Sequence, residues 1–95
     1  MLRGQRIAVV GSGISGLASA WLLSQQHAVT LYEAGDYLGG HTHTVDVTVE
    51  GISHPVDTGF LVYNSQTYPN LTALFAYLGV ASVETEMSFS VSLEE

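Results

Sequence analysis

The alternation of apolar and polar positions divides this chain into seven segments with a definite rhythm. Ile7-Ala8-Val9-Val10 is an unbroken, largely β-branched run, which predicts a strand over 6–10. Ile14, Leu17, Ala18, Ala20, Trp21, Leu22 and Leu23 then recur at helical spacing, predicting a helix over 14–26 that is apolar almost all round. A helix of that kind is normally covered on most sides. Ser24-Gln25-Gln26-His27 is a polar turn, and 28–33 reads as a second strand through Val29-Thr30-Leu31-Tyr32. Residues 34–44 form a loop rich in Gly, Asp, His and Thr. Val45, Val47 and Val49 alternate with Asp46, Thr48 and Glu50, the pattern of a half-buried strand. Gly51 marks a hairpin turn, and Ile52 to Asp57 returns as its partner, irregular or at an edge because of Pro55. A second helix is expected over 67–78, with Thr67 as N-cap, Pro69 in the first turn and an apolar stripe of Leu71, Leu74, Phe75 and Leu78. Gly79 fits its C-terminal cap. Met87, Phe89, Val91 and Leu93 alternate with Ser88, Ser90 and Ser92, predicting a final strand over 86–94.

The junction of the first strand and first helix carries the chemistry. It reads Gly11-Ser12-Gly13-Ile14-Ser15-Gly16, a G-x-G-x-x-G turn between a strand and a helix. Each glycine has its own task in a dinucleotide-binding βαβ unit. Gly11 permits the tight turn, Gly13 lets backbone approach a pyrophosphate, and Gly16, with small Ala20 one turn on, lets the helix pack closely. The phosphates then meet unpaired N–H groups at the positive end of the helix. Glu33, about 20 residues past the turn, is the acid expected to accept from ribose hydroxyls. Strand, turn, helix and acid agree, and together they predict an α/β fold that binds a dinucleotide.

A secretory signal is the rival reading, from Arg3, Arg6, the apolar run to Leu23 and Ala18-Ser19-Ala20. The glycines of the turn weaken such a helix by about 1 kcal/mol each relative to alanine. A signal also explains neither Glu33 nor the strand before the turn. No stretch approaches the ~20 apolar residues that span a bilayer.

Composition then narrows the partners. The 95-residue chain has a net charge of −7 with two basic residues. Nucleic acids and anionic membranes demand Lys/Arg patches, so neither is expected. A pyrophosphate held by N–H groups and a helix dipole remains compatible with an acidic chain. The absence of cysteine excludes disulfides and thiolate ligation within this segment. Charged residues make up 12% of the chain, against ~25% in ordinary domains. With the apolar helix and a chain ending at Glu94-Glu95 directly after a strand pattern, this predicts the N-terminal portion of a larger domain over 1–95. The surfaces would be covered by the rest of its own chain, and the lack of a signal favours the cytoplasm.

Glu33-Ala34-Gly35-Asp36-Tyr37-Leu38-Gly39-Gly40 brings a second glycine pair to the ribose acid. With Asp57-Thr58-Gly59 at the end of the hairpin and the helix that follows, this resembles the flavin-containing amine oxidase and phytoene desaturase-like group of FAD-dependent oxidoreductases. The resemblance implies a Rossmann-like FAD/NAD(P)-binding βαβ unit with an inserted β-hairpin, within a two-domain flavoprotein. It implies FAD contacts at Gly11, Ser12, Gly13, Ile14, Ser15, Gly16, Glu33, Ala34, Gly39, Gly40, His41, Thr42, Gly59 and Phe60, and a role for Asp57 beside the flavin. The activity implied is hydride transfer from a C–N or C–C bond of a small-molecule substrate to flavin. One departure stands out: the group usually has arginine where this chain has His41. Arginine is a permanent two-pronged donor, whereas histidine donates through one or two nitrogens and titrates. The run His41-Thr42-His43-Thr44 is similar to a branch of bacterial amine oxidase-like proteins.

Other readings remain. An NAD-dependent dehydrogenase shares the βαβ unit but would usually pass directly into another helix and parallel strand. A non-catalytic nucleotide-binding module is a further alternative. His41 and His43, at i and i+2 on a strand, share a face and with His54 suggest a metal, but no cysteine or grouped carboxylate completes the set. His27 reads as a solvated turn residue, and Tyr63 and Tyr68 as core aromatics rather than ligand platforms. No catalytic acid or base is assigned.

Overall fold

The computed structural model describes residues 4–94, so Arg3 and Glu95 lie outside the described residues. The element order is β1 (Arg6–Val10), α1 (Ile14–Ser24), β2 (Ala28–Tyr32), β3 (His43–Val49), β4 (Ile52–Gly59) and α2 (Pro69–Leu78). Two compact units divide the chain, Met1–Leu61 and Val62–Glu95.

In the first unit, β1 and β2 pair in parallel, Ile7 opposite Val29 and Val10 opposite Tyr32, with α1 as the crossover. This is the β-α-β unit that the apolar rhythm predicts. α1 stops at Ser24, two residues short of the expected 26. Near that end the Ser24 hydroxyl donates to the Trp21 carbonyl at 2.6 Å, and the Gln25 amide reaches it at 3.3 Å. Side chains that take the carbonyls of the last turn compete with helix propagation. His27, expected to be solvated, is half-buried and accepts from the Gln5 N–H through Nδ1 at 3.2 Å.

β3 and β4 form an antiparallel hairpin, with Val47 opposite His54 and Val49 opposite Ile52. The turn residues Glu50 and Gly51 have φ of 51° and 78°. Positive φ at both central residues is the type I′ signature, which matches the twist of the flanking strands. Both strands run longer than the alternation predicts, from His43 and to Gly59, with a register shift between His43 and Thr44. Pro55 sits inside β4 opposite Asp46, tolerated because β4 is paired on one side alone in this two-stranded sheet. The half-buried strand expected at β3 is instead exposed along Val45, Val47 and Val49.

Burial is slight throughout. Among the described residues no apolar side chain is buried, and the buried residue is Ser12, at 0% exposure. The first helix, expected to be covered on most sides, leaves Leu22 at 60% exposure.

In the second unit, α2 begins at Pro69 with Tyr68 as N-cap, so Thr67 is not the cap. The Thr67 hydroxyl and N–H both donate to Asn64 Oδ1, at 3.0 and 2.8 Å, and the Gln66 N–H joins them at 3.0 Å. Asn64 thus organises the turn that Thr67 was expected to cap, a local amide-to-backbone arrangement typical of Asn. Gly79 closes α2 in the left-handed conformation at φ 72°, as predicted. Tyr63 packs edge-on against Phe75 at 5.2 Å and its hydroxyl contacts that of Ser82, but it is only half-buried and Tyr68 is exposed, so neither takes the core role expected of it. The strand expected at 86–94 does not form: residues 80–94 have no regular secondary structure. Alternation alone does not make a strand, because its N–H and C=O groups need a neighbouring ladder.

Candidate functional site

Gly11, Ser12 and Gly13 leave the end of β1 in a turn that starts at φ 97° for Gly11, whose N–H donates to the Tyr32 carbonyl at 2.7 Å. This bond ties the turn to the end of β2 and brings Glu33 alongside it. Gly13 is the N-cap of α1. It offers no side chain to the first turn, and neither a capping side chain nor an acid is found there. Ile14, Ser15 and Gly16 form that first turn, and its N–H groups point out of the helix end. Gly16 has no room for a side chain: a Cβ would run into the Gly11 carbonyl oxygen, with the Val9 side chain at 3.8 Å. Gly13 is the opposite case, since a Cβ there would meet nothing within 4 Å.

The loop after Glu33 folds back on this turn. The Gly39 N–H donates to the Ser12 carbonyl at 2.8 Å and lies 3.3 Å from the Ser12 hydroxyl. Gly40 then abuts Gly13, so close that a Cβ on Gly40 would stand 3.0 Å from Gly13 Cα. The two glycine segments, far apart in sequence, make one stretch of bare backbone at the helix N-terminus. The Thr42 N–H donates to the Gly39 carbonyl at 3.0 Å, closing a turn that holds His41 at its exposed corner. His41 therefore precedes β3 instead of lying on it, and the shared strand face expected for His41 and His43 does not arise. His43 stacks on Tyr37 at 4.2 Å, and the Tyr37 hydroxyl donates to the Gly40 carbonyl at 3.2 Å. Tyr37 as a brace for the glycine pair was not signalled by the sequence beyond its position in the loop.

Gly59, at the end of β4, also approaches this loop: a Cβ there would collide with the His41 carbonyl oxygen. Phe60 follows with a positive φ of 49°. Asp57 lies within β4 and accepts from the Thr44 hydroxyl opposite it at 2.6 Å, so its observed partner is a strand neighbour. The Thr58 hydroxyl donates to the His43 carbonyl at 2.8 Å. Among the described residues there is no group of three metal-ligating side chains.

Glu33 is the most constrained ionisable group. Its Oε1 accepts from the Ser12 N–H at 3.0 Å and from the Ser12 hydroxyl at 2.5 Å, while Oε2 accepts from the Gly35 N–H at 2.8 Å. The Ser12 hydroxyl is the chief cause, with the Gly35, Ser12 and Ala34 backbone adding to it, of a pKa held down from 4.5 to about 2. Hydrogen bonds that favour the charged form act in this direction. A carboxyl whose pKa is lowered by folding stabilises the native state when it is ionised. Ionised Glu33 favours the native state fully above about pH 4.5, and that contribution fades as pH falls toward 2. Glu33→Gln is therefore expected to flatten this part of the acid-unfolding profile, measured by circular dichroism against pH. An unchanged acid limb would show that the carboxylate is not held in this way.

The chain is similar to the zeta-carotene desaturase of Synechocystis sp., at 36% identity over 75 residues, or 78% of this chain. It spans 14% of that protein's length. Residues 9–78 match the family described as the NAD(P)-binding Rossmann-like domain. That match runs from β1 through the glycine turn, Glu33 and the hairpin to the end of α2, and the chain belongs to the NAD(P)-binding Rossmann-like domain family.

Proposed function

We propose that this chain holds the ADP half of FAD in an oxidoreductase of the amine oxidase-like class. The observation that carries the reading is the bare backbone of Gly13 and Gly40 at an uncapped helix N-terminus, beside an ionised Glu33. A pyrophosphate suits such a position because unpaired N–H groups and the helix dipole favour negative charge. Gly11, Gly13, Ile14, Ser15 and Gly16 would line the pyrophosphate over the buried Ser12, Glu33 and Ala34 the ribose, and Gly39, Gly40, His41 and Thr42 the opposite side. Gly59 and Phe60 would stand toward the flavin end. Flavin supplies hydride acceptance from a C–N or C–C bond, and the protein's part is to position it and exclude water. The name of the Synechocystis relative supports a C–C bond as the type oxidised.

The family description names NAD(P), which favours an NAD-dependent dehydrogenase as the second reading. The β3–β4 hairpin directly after β2 weighs against it, since a plain Rossmann unit passes into another helix there. The absorption spectrum of the purified protein separates the two. Flavin bands in the visible blue are expected, whereas a colourless protein that takes up NAD would replace the first reading with the second. Glu33→Gln is expected to weaken dinucleotide binding about tenfold or more, the usual cost of a hydrogen bond to a charged group. NADP is expected to bind poorly to the parent protein, because a carboxylate repels a 2′-phosphate. Equal retention by Glu33→Gln would remove Glu33 from the site.

A further inference from the structure

Ser12 is the buried residue of the described chain, at 0% exposure, although it sits in a surface turn. All of its polar atoms are engaged. Its N–H and hydroxyl both donate to Glu33 Oε1, at 3.0 and 2.5 Å, and its carbonyl accepts from the Gly39 N–H at 2.8 Å. Its side chain thus joins the ribose acid to the glycine turn, and its backbone joins both to the Gly39-Gly40 loop. The two oxygens of Glu33 are left unequal. Each carboxylate oxygen has room for about two donors. Two hydrogen bonds, both from Ser12, end on Oε1, and one, from Gly35, ends on Oε2, with the Ala34 N–H a lesser influence on the carboxylate.

We propose that Ser12 is a positioning residue that occupies Oε1 of Glu33 and leaves Oε2 as the oxygen that reads a ligand hydroxyl. This rests on the reading that Glu33 faces the adenosine ribose. Its consequence is specific: one ribose hydroxyl makes the strong bond to the carboxylate, and the other makes little difference. The ligand class is an adenosine nucleotide with both ribose hydroxyls free. The Ser12 hydroxyl acts without touching the ligand, by spending one oxygen and aiming the other.

The test uses purified protein freed of bound nucleotide, with ADP, 2′-deoxy-ADP and 3′-deoxy-ADP as probes in titration calorimetry. Loss of about tenfold or more is expected with one deoxy probe and little loss with the other. Equal losses with both probes overturn the proposal, and this measurement needs no variant. Ser12→Ala is expected to even out the two losses and to raise the Glu33 carboxyl midpoint, followed by carboxyl carbon NMR without ligand, from about 2 toward 4.5. A folded Ser12→Ala protein with the parent's midpoint and discrimination overturns it as well. The two failures are separable. If Glu33→Gln keeps full ADP affinity, the ribose reading falls and takes the proposal with it. If Glu33→Gln loses affinity while Ser12→Ala changes nothing, the proposal alone falls.

Discussion

Gly13→Val is expected to give a folded protein that retains no dinucleotide. The fold should survive because a Cβ at Gly13 meets no protein atom within 4 Å, and its φ of −70° is open to any residue. The binding should not survive, because that same open space lies at the N-terminus of α1, where unpaired N–H groups attract a phosphate. Two γ-methyls placed there keep the pyrophosphate from the backbone it must touch, so a loss of a hundredfold or more is expected. The check pairs flavin content after purification with thermal unfolding by circular dichroism. Normal flavin content in Gly13→Val would mean that the phosphates lie elsewhere.

Gly16→Ala, three residues on, is expected to fail in the opposite way. Its Cβ would occupy the position of the Gly11 carbonyl oxygen, a backbone atom with no rotamer to retreat into. Either α1 moves off the turn or the turn itself opens. Overpacking of this kind costs about 1–3 kcal/mol and more where backbone must shift. Native stabilities are about 5–15 kcal/mol, so a loss of this size is a sizeable part of the total. Lower soluble yield and a lower thermal midpoint are expected, measured beside Gly13→Val. An unchanged midpoint for Gly16→Ala would show that α1 does not rest on the Gly11 carbonyl. Together the two variants divide one glycine motif into a residue kept small for the ligand and a residue kept small for the fold.

The sequence by itself determined what depends on neighbours in the chain. The apolar run before Gly11 and the helical spacing after it place β1, α1 and β2, because periodicity records which side of each element meets its neighbour. Gly51 and Gly79 mark the hairpin turn and the end of α2 for the same reason, since positive φ is a local demand. The position of Glu33 follows from the length of one helix and one strand. The alternation at Met87 to Leu93 misled because a strand is completed by another strand, and no pattern within a segment supplies its partner. Thr67 misled because Asn64, three residues earlier, captures its hydroxyl before it can cap α2.

The tertiary structure alone decided how the glycine segments meet. Ser12 reaches Glu33 and Gly39 across 21 and 27 residues of chain, and Gly40 comes to rest on Gly13. Nothing in Gly-Ser-Gly or in Leu-Gly-Gly specifies that pairing, although a hydroxyl between the glycines is the trace that it leaves. Local sequence sets which backbone shapes are open, and hydrogen bonds between distant segments choose among them. The carboxylate of Glu33 was visible as a residue type at a spacing. Its orientation, its lowered pKa and the inequality of its two oxygens come from the neighbouring Gly35 and above all from Ser12, a donor that only the folded chain brings to it.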